Sequence, residues 1–266
     1  MMMIKLLKSS IEWLGRWVMS ITPALGRFTL YAISNFQWFF RPPVRKRLFF
    51  EQMVFMGNKS LFIVFLTSSF SGAVFAYQIY LGFTAFSVDS FVGPIVAIAV
   101  VKELAPVFTG LVVAGRCGAA MAAQIGSMKV TEQIDALEVM GVNSIQYLGV
   151  PRVFATVVTM PMLTGVFMLV ANAGSWLVGV KLLGIDEAIY FAKLGDFMNL
   201  NMLVEGLIKA AVFGYLISII GTYQGFAVKG GAEGVGKGTN MAVVWGMIIV
   251  LIMDFFLTAI LAKVLG

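Results

Sequence analysis

The run from Leu61 to Val88 constrains the fold of this chain more than any other feature, because it contains no charged residue. A helix rises about 1.5 Å per residue, so about 20 residues cross the hydrocarbon core of a bilayer, and this run is longer than that. The composition agrees, since 60% of the 266 residues are hydrophobic and only 12% are charged, whereas soluble domains carry about 25% charged residues. The sequence therefore predicts an all-α integral membrane protein.

Four more apolar runs follow the first one. We predict five membrane spans, over residues 61–88, 91–126, 150–183, 203–228 and 240–264. Basic residues concentrate in residues 1–60 and in the loops that five spans would place on the same side of the membrane. The segment 181–205, on the other side, has more acids than bases. Because cytoplasmic segments are enriched in Lys and Arg, we expect the N-terminus in the cytoplasm and the C-terminus outside.

The N-terminal 40 residues are amphipathic. Apolar residues recur every three or four positions, and the tryptophans Trp13, Trp17 and Trp38 are expected to anchor the segment at the interface. The pattern predicts one or two helices in the headgroup region, interrupted near Pro23. We therefore divide the chain into residues 1–47, an amphipathic interfacial helix with a basic connector, and residues 48–266, a membrane domain.

The residue types that are missing narrow the function. The chain has no histidine and a single cysteine, Cys117, so it lacks the commonest general base and any cysteine framework for a metal. We predict no catalytic residue, no metal site and no cofactor in this chain. The net charge of +6 is not arranged as a basic patch with interleaved aromatic residues, so we expect attraction to lipid headgroups rather than nucleic acid.

Lys102 and Glu103 interrupt the apolar sequence of the second span. Charges at membrane depth cost about 2.5–3.5 kcal/mol each and usually mark a pathway. Pro106 has no amide hydrogen for the carbonyl of Lys102, which weakens the helix beside the charges. Gln78 and Tyr80, near the far end of the first span, are either part of the same path or interfacial anchors.

Small residues form a ladder at intervals of four in the second span: Gly110, Ala114, Gly118, Ala122 and Gly126. On a helix they make one smooth stripe that lets another helix approach closely in lipid. Two interpretations stay open. The stripe packs within the monomer, or it is a dimer seam or sliding surface.

A short polar helix is predicted over residues 127–140, ending at Gly141. One face is apolar and contains Val130, Ile134, Leu137 and Met140. Another face is acidic and contains Glu132, Asp135 and Glu138. The helix is too short and too polar to cross a bilayer, so we expect it on the cytoplasmic surface, either bound to a partner or solvated.

The segment from Gly231 to Lys237 fits the spacing of a phosphate-binding loop. Such a loop needs Ser or Thr directly after the lysine and a buried strand before it. Here Gly238 follows the lysine and a membrane span comes first. We expect a tight turn between the last two spans instead.

Several motifs resemble one family. The chain contains K-E-L-A-P-V, A-G-R-C-G-A-A, Q-I-G-S-M-K-V-T-E-Q-I-D-A-L-E-V-M-G-V and L-G-V-P-R. These motifs resemble the MlaE/YrbE permeases, which are membrane subunits of bacterial ABC systems that move lipids with MCE-domain proteins. The resemblance covers roughly residues 50–264, and 101–152 is its most specific part.

The resemblance implies a homodimeric permease in the bacterial inner membrane, with phospholipid as cargo in a cavity between the subunits. It also implies a cytoplasmic ABC ATPase, which binds ATP and magnesium, and a periplasmic MCE protein that is expected to be hexameric. The helix over 127–140 would then be the coupling helix that docks on the ATPase. The alternative is a stand-alone secondary transporter or channel that uses Lys102, Glu103 and Asp254 for ion coupling.

Two positions depart from the family pattern. Gln124 stands where family members often carry an acid, which argues against a required carboxylate there. Lys102 stands where arginine is common, which keeps a charge but loses bidentate geometry toward phosphate. Our hypothesis is that Lys102 faces the cavity and attracts a lipid phosphate while Glu103 holds a neighbouring helix. A purely structural buried pair is the competing interpretation.

Overall fold

The structure is a computed structural model that describes residues 22–23, 25–42, 45–84 and 89–265. Within these ranges the regular structure consists of eight helices and no strand. The all-α prediction is therefore confirmed. The predictions made for residues 1–21, including the Trp13 and Trp17 anchors, lie outside the described residues.

Five helices are long and apolar enough to cross a membrane: α2 (Lys46–Thr84), α3 (Asp89–Val130), α5 (Ile145–Leu182), α7 (Leu200–Ala227) and α8 (Gly231–Val264). The shorter helices are α1 (residues 25–39), α4 (Gln133–Val139) and α6 (Glu187–Phe197). The number of spans agrees with the prediction, and the chain is a multi-pass membrane protein.

Two spans begin earlier than predicted. Helix α2 starts at Lys46 rather than at residue 61, and its exposed first turns hold an ion pair of 2.8 Å between Arg47 and Glu51. Helix α8 starts at Gly231 rather than at residue 240. The tight turn falls at Gly230 and Gly231, whose φ angles are positive. The glycine-rich segment is thus mostly helical. Its start was predicted too late because hydropathy marks only the lipid-embedded part of a helix and not its polar extension.

Helices α2 and α5 pack side by side through glycines. A Cβ atom added to Gly72 would clash with the carbonyl oxygen of Ala171, and one added to Gly174 would lie 2.8 Å from that of Ser69. Near the other end, Gly57 faces Thr159. Residue numbers at these contacts increase in the same direction along both helices, so α2 and α5 run parallel. This is expected for two spans separated by one span that runs the opposite way.

Helix α1 lies across the ends of α5 and α7. The Tyr31 ring lies 5.7 Å from the Tyr223 ring, and Phe39 stacks on Phe154 with ring centroids 3.7 Å apart. On the opposite side, Leu30 is among the exposed apolar residues. One face thus packs on protein and the other is apolar and free, which fits the predicted interfacial helix.

Candidate functional site

A cluster of charged side chains lies between α3, α7 and α8, and Lys209 of α7 is at its centre. The Lys209 side chain has no exposed surface. Its ammonium group donates to the carbonyl oxygen of Lys102 at 2.9 Å, to Glu103 at 2.8 Å and to the hydroxyl of Thr258 at 2.7 Å. An ammonium group has three hydrogens, so these three contacts use all of them.

Two further carboxylates surround the same ammonium group at longer range. Glu205 and Asp254 each place an oxygen 3.7 Å and 3.8 Å, respectively, from the nitrogen of Lys209. These two oxygens are buried and make no hydrogen bond within the described part of the chain. Glu205 also forms an ion pair of 3.0 Å with Lys102 through its other oxygen. Lys209 therefore has more acceptors around it than hydrogens to donate.

Lys102 and Glu103 do not pair with each other but with two different residues of α7. Helical neighbours normally point about 100° apart. Here the segment Val100–Leu104 is a wide π-type turn, and both side chains reach the same helix. Pro106 leaves the Lys102 carbonyl without its usual helical donor, and Lys209 supplies the missing hydrogen. The two residues therefore form no ion pair with each other, although each is held in an ion pair with another helix, at 3.0 Å for Lys102 and 2.8 Å for Glu103.

The charge balance of the cluster bears on what it can bind. We call Lys102, Glu103, Glu205, Lys209, Asp254 and Thr258 the Lys209 cluster. With every group ionised, two lysines face three carboxylates, which leaves one negative charge. Glu103, Asp254 and Lys102 are partly exposed, whereas Glu205 is 4% exposed. A net negative cluster favours a cation or a proton at its open side more than a lipid phosphate.

Sequence reasoning did not identify Glu205 and Lys209 as site residues. The sequence reading placed Glu205 in the loop at 181–205, but α7 begins at Leu200 and buries it. The missed signal is the spacing of four between an acid and a lysine on an apolar helix, which puts both on one face. Gln78, by contrast, is exposed on α2, and Tyr80 is partly buried against the core.

The small-residue ladder faces α7 and α8 of the same chain. A Cβ atom added to Gly221 would lie 2.9 Å from the carbonyl oxygen of Gly118, and one added to Gly225 would lie 3.1 Å from that of Ala122. A Cβ atom added to Gly246 of α8 would lie 3.2 Å from the Cβ atom of Ala114.

The two ends of the ladder make similar contacts. Gly126 at one end faces Val228, and Gly110 at the other faces Val250. The intramolecular packing interpretation therefore describes the ladder in this structure, and the stripe is covered by its own chain.

Helix α4 is shorter than the predicted helix over 127–140. Residues 127–130 are the last turn of α3, and a turn follows in which Glu132 adopts a φ of +59°. The end of α4 agrees with the prediction: Gly141 has a φ of +74°, and the amide of Val142 bonds to the carbonyl of Leu137 at 2.9 Å. This is a Schellman arrangement, which satisfies the last carbonyls of the helix.

The surface of α4 is both acidic and apolar. Ile134 is buried and Leu137 is partly buried, as expected for the inner face. Met140, which was assigned to that face, is 68% exposed, and the adjacent Val139 is 89% exposed. Asp135 and Glu138 are exposed beside them, and Glu138 accepts a hydrogen bond of 2.9 Å from Ser144. Such a mixed patch is typical of a docking surface.

Gln124 of α3 contacts a buried cation. Its side-chain oxygen accepts a hydrogen bond of 3.3 Å from Arg152 of α5. Arg152 also donates to the carbonyl of Leu148 at 2.8 Å. A neutral amide is thus sufficient to hold this guanidinium group between the two helices.

Comparison with known proteins shows a match over nearly all of the membrane part. The family described as Permease MlaE matches residues 49–260. A probable ABC transporter permease protein from Rickettsia bellii is 39% identical over 251 residues, which cover 94% of this chain and 97% of that protein.

Two other relatives extend the comparison. The intermembrane phospholipid transport system permease protein MlaE of Haemophilus influenzae is 35% identical over 257 residues, with 94% and 97% coverage. The chloroplastic protein TRIGALACTOSYLDIACYLGLYCEROL 1 of Arabidopsis thaliana is 39% identical over 209 residues, covering 79% of this chain and 60% of that protein.

Proposed function

The chain belongs to the MlaE permease family, and on that premise we propose that it moves phospholipid between the inner membrane and a periplasmic MCE-domain partner. As an ABC transporter permease it is a transport component rather than an enzyme. The observation that supports the proposal most is the match over residues 49–260, which includes α3 to α7 entire. The name of the Haemophilus relative supplies phospholipid as the expected cargo.

The energy source in this proposal is a separate ABC ATPase that binds ATP and magnesium. Helix α4 is its expected docking site, because Asp135 and Glu138 offer negative charge beside the exposed side chains of Val139 and Met140. Electrostatic complementarity would orient the partner and apolar contact would hold it. Glu132 contributes to this docking site through the turn that precedes α4, and Leu137 contributes through its packing on the inner face of the helix.

The cargo cavity in this proposal lies between two copies of the chain. The exposure of helix α8 supports this placement. Only 11% of its most hydrophobic stretch is buried within one chain, against 56% for α7. Exposed aromatic residues such as Trp245 and Phe255 lie on this free face. A second copy would cover part of it, and the proposed orientation places the N-terminus in the cytoplasm.

The Lys209 cluster ties α3, α7 and α8 into one unit in this mechanism. Its contacts join the Lys102–Glu103 segment of α3 to Thr258 and Asp254 of α8 through Lys209. Helices joined in this way would move together when the cavity changes shape. The cluster thus has a role in transmitting motion, and Gln78 and Tyr80 remain candidates for the lipid path.

Reconstitution tests the proposal. The permease and its ATPase are placed in one vesicle population that contains a labelled phospholipid, and an MCE-domain protein is added outside. We expect ATP-dependent transfer of the label to the MCE protein. If the label does not move with ATP while the ATPase is bound and active, lipid transport is the wrong function.

Ion-coupled transport is a second candidate, and the excess carboxylates of the Lys209 cluster favour it. In that case a proton gradient, rather than ATP, would drive cargo across vesicles that contain the permease alone. A gradient-driven flux without ATPase would support this function. Its absence, together with ATP-dependent transfer, would support the first.

A further inference from the structure

A groove with a basic end runs along α2 and α5, away from the Lys209 cluster. Its first part is a cavity of about 530 Å³ between α1, the start of α2 and the start of α5. Arg41, Arg45 and Lys46 line it, together with the rings of Trp38 and Phe49. Cavities of this size bind small ligands in many proteins.

The groove continues along the membrane direction. A second cavity, of about 390 Å³, lies between α2 and α5 and is lined by side chains such as Met53, Leu61 and Val166. Phe50 lines both cavities, and Val158 of the first adjoins Thr159 of the second. Because α2 and α5 are parallel, the path leads from a basic mouth into an apolar channel.

The basic end is held in place by neighbouring groups. The guanidinium group of Arg41 lies 5.0 Å from the centre of the Trp38 ring, and its backbone carbonyl accepts a bond of 2.8 Å from Gln146. The guanidinium of Arg45 lies 4.7 Å from the Tyr147 ring. One of its nitrogens is buried and has no hydrogen-bond partner within the described residues. A buried unpartnered donor of this kind needs an acceptor.

The lining has no compensating negative charge. Among the described residues of the two cavities there is no carboxylate. The nearby acid Glu51 pairs with Arg47, which lies outside the groove. Three cations therefore line the mouth without a neighbouring carboxylate, beside an apolar path that suits part of a hydrocarbon chain.

We propose that this groove binds one anionic phospholipid of the cytoplasmic leaflet, with its phosphate at Arg41, Arg45 and Lys46 and an acyl chain along Phe50 toward Leu61. Basic pockets between membrane helices on the cytoplasmic side recognise anionic headgroups in this way. The site is separate from the cargo cavity, and it rests on the proposed orientation with the N-terminus in the cytoplasm rather than on the transport function. It joins α1 to the two packed helices α2 and α5.

Trp38 allows a direct test, because it lies in the mouth. The other tryptophans (Trp13, Trp17, Trp176 and Trp245) are replaced by phenylalanine, and the protein is reconstituted in phosphatidylcholine vesicles. Brominated phosphatidylglycerol or brominated phosphatidylcholine is then added at equal mole fraction. We expect much stronger quenching of Trp38 by the phosphatidylglycerol.

A matched pair of double variants separates a specific site from general surface charge. The double variant Arg41→Gln, Arg45→Gln should weaken the preference for phosphatidylglycerol about 25-fold, since each basic residue near an anionic surface contributes roughly fivefold. The double variant Arg27→Gln, Arg47→Gln removes the same charge from exposed positions outside the groove and should keep the preference. Equal losses in the two variants would overturn the proposal.

Two further outcomes would also overturn it. Excess inorganic phosphate that abolishes the preference would mean that the mouth recognises free phosphate rather than lipid. Equal and weak quenching by both lipids would mean that another chain or a second copy covers the groove. Should the tryptophan replacements prevent folding, mass spectrometry of the lipids that co-purify with the two double variants decides. We expect phosphatidylglycerol to be depleted only with Arg41→Gln, Arg45→Gln, and equal lipid content would contradict the site.

Discussion

The ammonium group of Lys209 lies 2.9 Å from the backbone carbonyl oxygen of Lys102. That carbonyl is free because Pro106, four residues later, has no amide hydrogen. A break in one helix is thus filled by a charged side chain from another, which at the same time binds Glu103 and Thr258. The proline and the lysine form one structural device, although they are far apart in the sequence.

Replacing Lys209 with methionine should strongly destabilise the protein. The change keeps most of the side-chain length but leaves buried Glu205 and its neighbouring carboxylates with Lys102 as their remaining cation. Removing one partner of a buried ion pair costs about 3–5 kcal/mol. Thermal unfolding in detergent measures the loss. The double variant Lys209→Met, Glu103→Gln should recover part of it, and no recovery would mean that the charge balance is not the cause.

Replacing Lys102 with alanine tests whether this residue binds cargo or supports the fold. Because Lys102 pairs with the buried Glu205 at 3.0 Å, we expect a lower melting temperature and poor expression. Lys102→Met combined with Glu205→Gln should restore stability, since neither charge is then left unpaired. A Lys102→Ala protein that is stable but has lost co-purifying phospholipid would instead place Lys102 in the lipid path.

Replacing Gly221 with alanine should disrupt the seam between α3 and α7. The new Cβ atom would lie 2.9 Å from the carbonyl oxygen of Gly118, and backbone cannot move aside as a side chain can. Overpacking typically costs about 1–3 kcal/mol. Gly165→Ala in α5 is the matched control, because no atom outside its local helix lies within 4 Å of its added Cβ. Equal melting temperatures for the two variants would contradict the close contact.

Reversing the acids of α4 should abolish binding of the ATPase. The double variant Asp135→Lys, Glu138→Lys changes exposed side chains, so the permease itself should still fold. The control Glu51→Lys, Glu233→Lys makes the same charge change at exposed positions of α2 and α8. Pull-down of the ATPase from mild detergent compares them. Normal recovery with the α4 variant would remove this helix from the interface.

Gly141 should be essential for the end of α4. Its φ of +74° is a conformation that costs about 1–2 kcal/mol for a residue with a Cβ atom. Gly141→Ala should therefore loosen the Schellman turn and weaken ATPase binding without lowering overall helix content. Circular dichroism and the same pull-down measure both effects. Unchanged binding would indicate that the turn tolerates rearrangement.

Much of the fold could be predicted from the sequence because lipid imposes simple rules. Apolar length identified the spans, and the spacing of four identified the ladder of Gly118 and its neighbours. The positive φ of Gly141 followed from the pattern of its helix. The starts of α2 and α8 could not be predicted in the same way, because a helix that leaves the bilayer continues in polar sequence.

The sequence by itself determined the class, the number of spans and the presence of charges inside the membrane, since hydropathy and backbone hydrogen bonding act locally. Only the tertiary structure decided which charges meet. Lys102 pairs with Glu205 and Glu103 with Lys209, more than a hundred residues away in each case. The partner of a buried charge depends on how helices are placed side by side, and that placement is a property of the whole packed bundle rather than of any one segment.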